Sequence, residues 1–265
     1  MGLYSLWMTH RTDPPSYELV QLPNGWTVGR FSALSRLGLP HMVTTRDGPS
    51  VEMIASEPAA AAGMFAQALG LAGIAYQRQV HQSRVLAVGG PGLVGECDGL
   101  AASTPGLGLM AVSADCPLLL VADRLGGAVG IAHASWRSTV KRIAANLVDL
   151  LAERFGVPRS NLVACIAPSA GPCCYEVGPD VLDKASVGLG PAARQHFISR
   201  DGRLYMDLRS ANREQLIAEG LNPADIHVAQ VCTICHHDRY PSFRVEGDRA
   251  GRFAAVIALP GKPPA

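Results

Sequence analysis

The chain has 265 residues, 48% of them hydrophobic, which is enough for a well-buried core and sits at the upper end of what one domain holds. Lys plus Arg, 23, nearly balances Asp plus Glu, 22, so no charge excess points to nucleic acid or to an anionic membrane surface, and a small-molecule substrate is the expected partner. Seven cysteines, an odd count in so long and apolar a chain, read as reduced thiols in a reducing compartment rather than as a disulfide framework.

In chain order, residues 1–16 are polar and contain prolines, with no cationic start followed by an apolar run, and Leu6 stands where a myristoylation motif requires Ser or Thr. They are expected to form a disordered N-terminal extension of a cytoplasmic protein. No segment reaches the roughly 18 uninterrupted apolar residues of a spanning helix, since the longest run, PLLLVAD, ends at Asp123, and no membrane partner is expected. From Tyr17 short strand-like runs recur (YELVQL, WTVGRFS, HMVTT), each closed by Pro, Asn-Gly or Asp-Gly, and predict hairpins or a meander. The Ala-rich stretch SEPAAAAGMFAQALG, from about Ser56 to Leu71, has Ser and Pro at its head and Gly at its tail; it predicts a capped helix, followed by a strand carrying His81. RVLAVGG, LGLMAVSAD, CPLLLVAD and AVGIAHAS predict further strands, and residues 139–155 a helix. Several of these strands are apolar throughout, as in sheets covered on both faces. After NLVACIAP the pattern turns loop-rich through GPCCYEVGPD, with helices expected at 179–186, 191–199 and 210–219 and a closing strand pair, IHVAQVCT and RFAAVIAL. The organisation expected is one catalytic domain over 17–259 and a loose tail over 260–265.

Three strand ends carry candidate chemistry: QVH at 79–81, SADC at 113–116 and AHASW at 132–136. Each sets a metal-capable or nucleophilic side chain where an apolar strand meets a loop. His81, Cys116 and His133 make a sound zinc set, because imidazole nitrogen and thiolate both suit this borderline-soft cation, and three ligands leave a fourth position open as catalytic zinc requires. Two other readings fit the same residues: a Cys116 thiolate nucleophile with His133 as base, making a hydrolase or deamidase, or three separately packed and satisfied side chains. CTICH at 232–236 matches a haem-attachment pattern and half a zinc site, but no second C-x-x-C pair completes four ligands. It reads as a structural strand-to-loop segment with Cys235, His236 and His237 near the pocket, and Cys173–Cys174 as packed residues of a tight loop. Arg46 in TTRDG and Arg244 in PSFRVEG are candidates for phosphate, which a guanidinium grips with paired charge-assisted bonds; the alternative is a solvated surface charge. No segment completes a G-x-G-x-x-G at a strand-to-helix turn, so no dinucleotide cofactor is expected.

The motifs QVH, SADCPLLLVAD, GIAHASWR, IAPSAGPCCYEVG, MDLRSANREQL, VCTIC and SFRVEG…AGRFAAVI occur in an order that resembles the polyphenol-oxidase laccase-like family, also called purine nucleoside phosphorylase or peptidoglycan editing factor proteins, over about residues 40–259. The resemblance implies an α/β (α+β) fold, a single-domain αββα layered sandwich with mixed sheets similar to a bacterial-toxin cysteine deamidase. It further implies catalytic zinc on His81, Cys116 and His133. The implied activity is phosphorolysis of adenosine, inosine, guanosine or methylthioadenosine, with adenosine deamination as a companion and with purine nucleoside and phosphate as partners. Arg46 and Arg244 match family blocks and become its phosphate candidates. A peptidoglycan-precursor editing amidase is the main alternative; a Cys–His hydrolase and a copper polyphenol oxidase are lesser ones, since eight histidines are few for a multi-copper cluster. The chain departs from the family pattern in three places. Ser135 and Ser138 stand in HASWRS where glycines are usual, TTRDGPS lacks the usual double glycine, and Val245 replaces a frequent Arg.

Overall fold

Proline and Asn-Gly punctuation lay down the first hairpin: β1 (Tyr17–Gln21) runs antiparallel to β2 (Thr27–Phe31), with Gly25 at φ +87° in the turn. The computed structural model describes residues 16–261, so the expected N-terminal extension and tail fall, apart from Ser16, Pro260 and Gly261, outside the described residues. A short helix not foreseen from the sequence, α1 (Ser32–Arg36), leads to β3 (His41–Thr44). The Ala-rich segment forms α3 (Pro58–Leu69), with proline in its first turn and Gly70 closing it at φ +64°. Ser56 does not cap it as expected. It ends a separate helix, α2 (Val51–Ser56), which Ser50 caps by accepting from the Met53 N–H at 3.2 Å.

The middle of the chain supplies β4 (Gly73–Arg78), β5 (Val85–Ala87), β6 (Gly92–Glu96), β7 (Gly99–Ala102), β8 (Leu107–Ser113), β9 (Leu118–Asp123) and β10 (Val129–His133). Two of these, β6 and β7, come from glycine-rich sequence that carries no strand signal. The helix expected at 139–155 is two helices, α4 (Trp136–Val140) and α5 (Ile143–Phe155), because Arg142 between them takes the left-handed conformation at φ 63°. Then follow β11 (Leu162–Ile166), the short β12 (Glu176–Val177), α6 (Pro179–Leu189), β13 (Phe197–Arg200), β14 (Arg203–Met206), α7 (Leu208–Ala218), β15 (Ile226–Val228), α8 (Phe243–Glu246) and β16 (Phe253–Ala258). The helix expected at 191–199 is a single 3₁₀ stretch, Pro191–His196, after which the chain enters the β13–β14 hairpin. The hairpin turns at Asp201-Gly202, both at positive φ, an Asp-Gly turn signal that competes with helix.

The strands form two large mixed sheets and a small one of order β12-β14-β13. One large sheet has the order β1-β2-β3-β16-β8-β4-β6 and the other β15-β11-β9-β10-β7-β5. In the first, β8, β4 and β6 are parallel and the remaining pairs antiparallel. In the second, β15–β11 and β7–β5 are parallel and the centre antiparallel. The expected closing pair does not exist: β15 lies in the second sheet and β16 in the first, because the 229–252 segment carries the chain from one sheet to the other. Leu109, Ile257, Leu100, Leu118, Leu120 and Ile131 fill the space between the sheets. Ile54 and Phe65 of α2 and α3 cover the outer face of the first sheet against Met42, Met110 and Val256. Leu147, Val148 and Leu151 of α5 and Leu216 of α7 cover the second against Val121 and Ile166. The layers are therefore helix, sheet, sheet, helix in a single mixed α/β domain. Strands buried on both sides must be apolar at every position, as LLLVAD of β9 is up to its closing Asp123. Among the described residues no helix is long and apolar enough to cross a membrane.

Candidate functional site

The two large sheets bring the ends of β4, β8 and β10 to one edge. β4 ends at Arg78, and Gln79 then binds both backbone groups of Val112 on β8, accepting from its N–H at 2.9 Å and donating to its carbonyl at 2.8 Å. The loop beyond is held by a fully buried carboxylate. Asp98 Oδ1 accepts from the His81 N–H at 3.0 Å, and its Oδ2 from the Val80 and Gln82 N–H groups at 3.2 and 2.7 Å. These bonds hold His81 at φ 57°, a left-handed conformation seldom taken by a residue with a side chain. The same Oδ1 lies 3.1 Å from Nδ1 of His133, the last residue of β10, so Nε2 of that ring is free to face the site. The His81 and His133 rings stand nearly perpendicular, 85°, with centroids 5.1 Å apart.

Cys116 arrives from the β8–β9 turn, where Ser113 Oγ donates to its carbonyl at 2.7 Å. Its sulfur lies within hydrogen-bonding reach of the His133 ring. Of the three residues singled out from the strand ends, His133 thus neighbours both of the others, His81 by its ring and Cys116 by its sulfur. Burial disfavours charge on His133, but the Cys116 sulfur and the Asp98 carboxylate outweigh it and lift its pKa to about 9. Burial, with the neighbouring His133, pushes His81 the other way, toward the neutral imidazole. Asp98 is subject to a burial penalty that the His133 ring and the backbone amides overcome, leaving its carboxyl below the usual range.

A second buried carboxylate organises the opposite wall. Asp115, at φ 90°, accepts from Thr233 Oγ1 at 2.7 Å, Ser242 Oγ at 3.0 Å and the Arg244 N–H at 2.7 Å, tying the 232–244 segment to the Cys116 turn. The Arg244 guanidinium stacks 5.0 Å from the Tyr175 ring and donates to the Glu176 carbonyl at 2.8 Å. Burial and the Cys116 sulfur push the Tyr175 phenol up, so it stays protonated as a donor. Arg137, stacked 4.5 Å from the Trp136 ring centroid, acts electrostatically on both Tyr175 and His81, and Arg252, whose Nη1 donates to the Ala250 and Gly251 carbonyls at 2.6 and 2.8 Å, acts on His81. Arg46 is placed differently: its guanidinium is engaged by Glu246 at 2.5 Å and by the His237 carbonyl at 2.9 Å.

Sequence reasoning missed Asp98, Asp115, Tyr175, Arg137 and Arg252. The available signals were an acid inside the apolar CDGLAA run and another beside Cys116 in SADC. Ser135 and Ser138 are spent on the start of α4: Ser135 Oγ accepts from the Ser138 N–H at 3.1 Å and bonds Ser138 Oγ at 2.7 Å, with both residues buried. Two expectations about cysteine are overturned. Cys173 is exposed and Cys174 half-buried rather than packed, and both gather with Cys232 and Cys235 so that the four sulfurs lie within 4.8 Å of one another. The pair that meets CTIC is vicinal rather than C-x-x-C, and it comes from a distant loop that only the fold brings near.

Fold and site define a small single-domain α/β protein of enzymatic type, with a His-and-Cys centre at the ends of its strands. The chain belongs to the family described as multi-copper polyphenol oxidoreductase laccase, whose family model matches residues 56–260. It is 35% identical over 261 residues to a protein of Deinococcus radiodurans named purine nucleoside phosphorylase, covering 93% of this chain and 94% of that one. It is 34% identical over 158 residues to adenosine deaminase RL5 of an unknown prokaryotic organism, 58% of this chain and 59% of the relative. Among solved structures, YlmD from Geobacillus stearothermophilus superposes with a TM-score of 0.82 at 27% identity, over 93% of this chain and all of that one. The hypothetical protein YfiH of Bacillus licheniformis gives 0.73 at 26% identity, over 94% and 98%.

Proposed function

We propose that this protein is a zinc-dependent purine nucleoside phosphorylase that acts on adenosine, inosine, guanosine or methylthioadenosine and also deaminates adenosine. The observation that carries the reading is His133 placed beside both the His81 ring and the Cys116 sulfur, with Asp98 gripping its far nitrogen. A carboxylate behind a histidine ring fixes its tautomer and orientation, the usual support of a metal-ligating imidazole. Two imidazoles and one thiolate fit zinc. They do not fit a multi-copper oxidase. Of eight histidines, His41 is committed to the Leu39 carbonyl and the Phe31 N–H, and His196 to Ser210, which leaves too few for a separate copper cluster.

Zinc held by these three residues would supply Lewis acidity at an open fourth position, available to phosphate or to water. Arg244, stacked on Tyr175, is the guanidinium that would draw an anion in, with Arg137 and Arg252 adding positive charge to the surroundings of His81, and the Tyr175 hydroxyl would add a neutral donor. Phosphorolysis forms a bond from a phosphate oxygen to the ribose C1′ while the C1′–N9 bond breaks and the purine leaves with a proton. Deamination instead adds water at C6 and releases ammonia. One ordered site serves both reactions, because each needs an oxygen nucleophile held beside a purine nucleoside.

The test is release of free base from adenosine and inosine by zinc-assayed protein, with and without phosphate. Base should appear only with phosphate, and inosine should form from adenosine without it. His81→Ala and Cys116→Ser should each lose the zinc that these three residues hold, and turnover with it; full turnover by either refutes the catalytic-metal reading. No base under either condition, with zinc still bound, favours a peptidoglycan-precursor amidase acting through the same activated water.

A further inference from the structure

The vicinal cysteines of the 171–175 loop meet the CTIC turn. We propose that Cys173, Cys174, Cys232 and Cys235 form a second metal site, a tetrathiolate that holds a structural zinc ion and clamps these two segments together. The inference does not depend on the catalytic reading above.

Geometry carries it. A tetrahedral zinc with Zn–S bonds of about 2.3 Å sets its sulfurs roughly 3.8 Å apart. Here Cys173 and Cys235 sulfurs are 3.6 Å apart, those of Cys174 and Cys235 3.3 Å, and all four fall within 4.8 Å. A disulfide would need about 2.05 Å, and all four are free thiols. The set also has the supporting contacts of a metal centre. The Gly171 N–H donates to Cys232 Sγ at 3.2 Å, and a backbone hydrogen bond from Cys235 reaches the same sulfur. Such N–H···S contacts stabilise sulfur in its thiolate form, the form that binds metal. The loop comes close at Gly171, where a Cβ would lie 2.9 Å from the Arg209 guanidinium and 3.2 Å from both the Cys173 sulfur and Cys232 Cβ.

The surroundings answer the charge. Four thiolates and one divalent cation leave a net charge of about −2. Arg200 donates to the Cys173 carbonyl at 2.8 Å and acts electrostatically on Cys174, and the buried Arg209 guanidinium reaches the same loop beside Gly171. The clamp bears on the candidate active site through sequence neighbours: Tyr175 follows Cys174, and Thr233, which donates to Asp115, follows Cys232. Zinc binding here would release the protons that the thiols carry and add its binding free energy to folding.

The decisive measurement uses the full chain, reduced and loaded with zinc or cobalt(II). The His81→Ala/Cys116→Ser double variant, which removes the other proposed ligands, should still bind about one zinc per chain. Its cobalt form should show the intense sulfur-to-metal charge-transfer and tetrahedral bands of a tetrathiolate. Adding Cys235→Ser should abolish both. In the unmutated chain, where folding is not in question, zinc should shield Cys173 and Cys235 from iodoacetamide until a chelator is added. Retention of the cobalt spectrum by the Cys235→Ser variant, full alkylation of the zinc-loaded chain at these cysteines, or isolation of the four as disulfides from a reduced preparation would each overturn the site. If only the catalytic reading fails, the parent chain still binds one zinc, and it is the Cys235→Ser substitution that removes it.

Discussion

Asp98→Asn tests most directly how the candidate active site is held. The substitution keeps size and shape and removes only a charge and one acceptor oxygen. In the native chain each carboxylate oxygen serves two donors: Oδ1 the His81 N–H and His133 Nδ1, Oδ2 the Val80 and Gln82 N–H groups. An asparagine must turn its NH₂ toward one of these pairs, so either orientation sets two donors against a donor. At about 1–3 kcal/mol for each unmet buried group, with the lower values where water reaches the 80–82 loop, the expected loss is about 2–4 kcal/mol. Urea unfolding at neutral pH measures it. The freed His133 ring should also weaken zinc binding by about 10–100-fold in a chelator competition. A variant within 1 kcal/mol of the parent in stability and within threefold in zinc affinity would refute the argument that Asp98 positions both His81 and His133.

Three further outcomes follow from particular contacts. His41 is fully buried, with Nδ1 on the Leu39 carbonyl at 2.8 Å and Nε2 accepting from the Phe31 N–H at 2.9 Å, and burial lowers its pKa from 6.5 to about 4. Because the folded state prefers the neutral ring, its contribution is complete above pH 6.5 and is lost as pH falls toward 4, by up to about 3 kcal/mol; a His41→Gln variant should show a flatter urea midpoint over that range. Gly188→Ala should destabilise by about 1–3 kcal/mol, since its Cβ would stand 2.1 Å from the Val140 carbonyl oxygen and force α6 from α4; an unchanged melting temperature would contradict that close approach. Arg244→Gln should raise the KM for phosphate by about tenfold or more with little change in zinc content, and Arg46→Gln should raise it less, because Glu246 already engages that guanidinium. Equal effects in steady-state kinetics would reverse the ranking of the two arginines.

Much of the candidate site was legible because its residues stand at or just beyond strand ends whose apolar runs are strong signals. QVH, SADC and AHASW each mark where a buried strand of the double sheet stops. The order of the layers was not written in any local pattern, and neither was the placing of β16 between β3 and β8, because strand pairing is settled by contacts between residues far apart in the chain. Glycine-rich β6 and β7 escaped notice for a related reason: their strand character comes from neighbours they pair with, not from their own side chains.

The sequence by itself determined which side chains could carry chemistry, since the identities of His81, Cys116, His133 and the four loop cysteines fix their ligand atoms whatever the fold. Only the tertiary structure decided which of them lie together. It set Asp98 behind His133, turned Ser135 and Ser138 into a helix cap, occupied Arg46 with Glu246, and brought Cys173 and Cys174 onto Cys232 and Cys235. Ligand sets and ion pairs act over a few ångströms between residues tens of positions apart, and that proximity exists only once the two sheets have closed on their shared core.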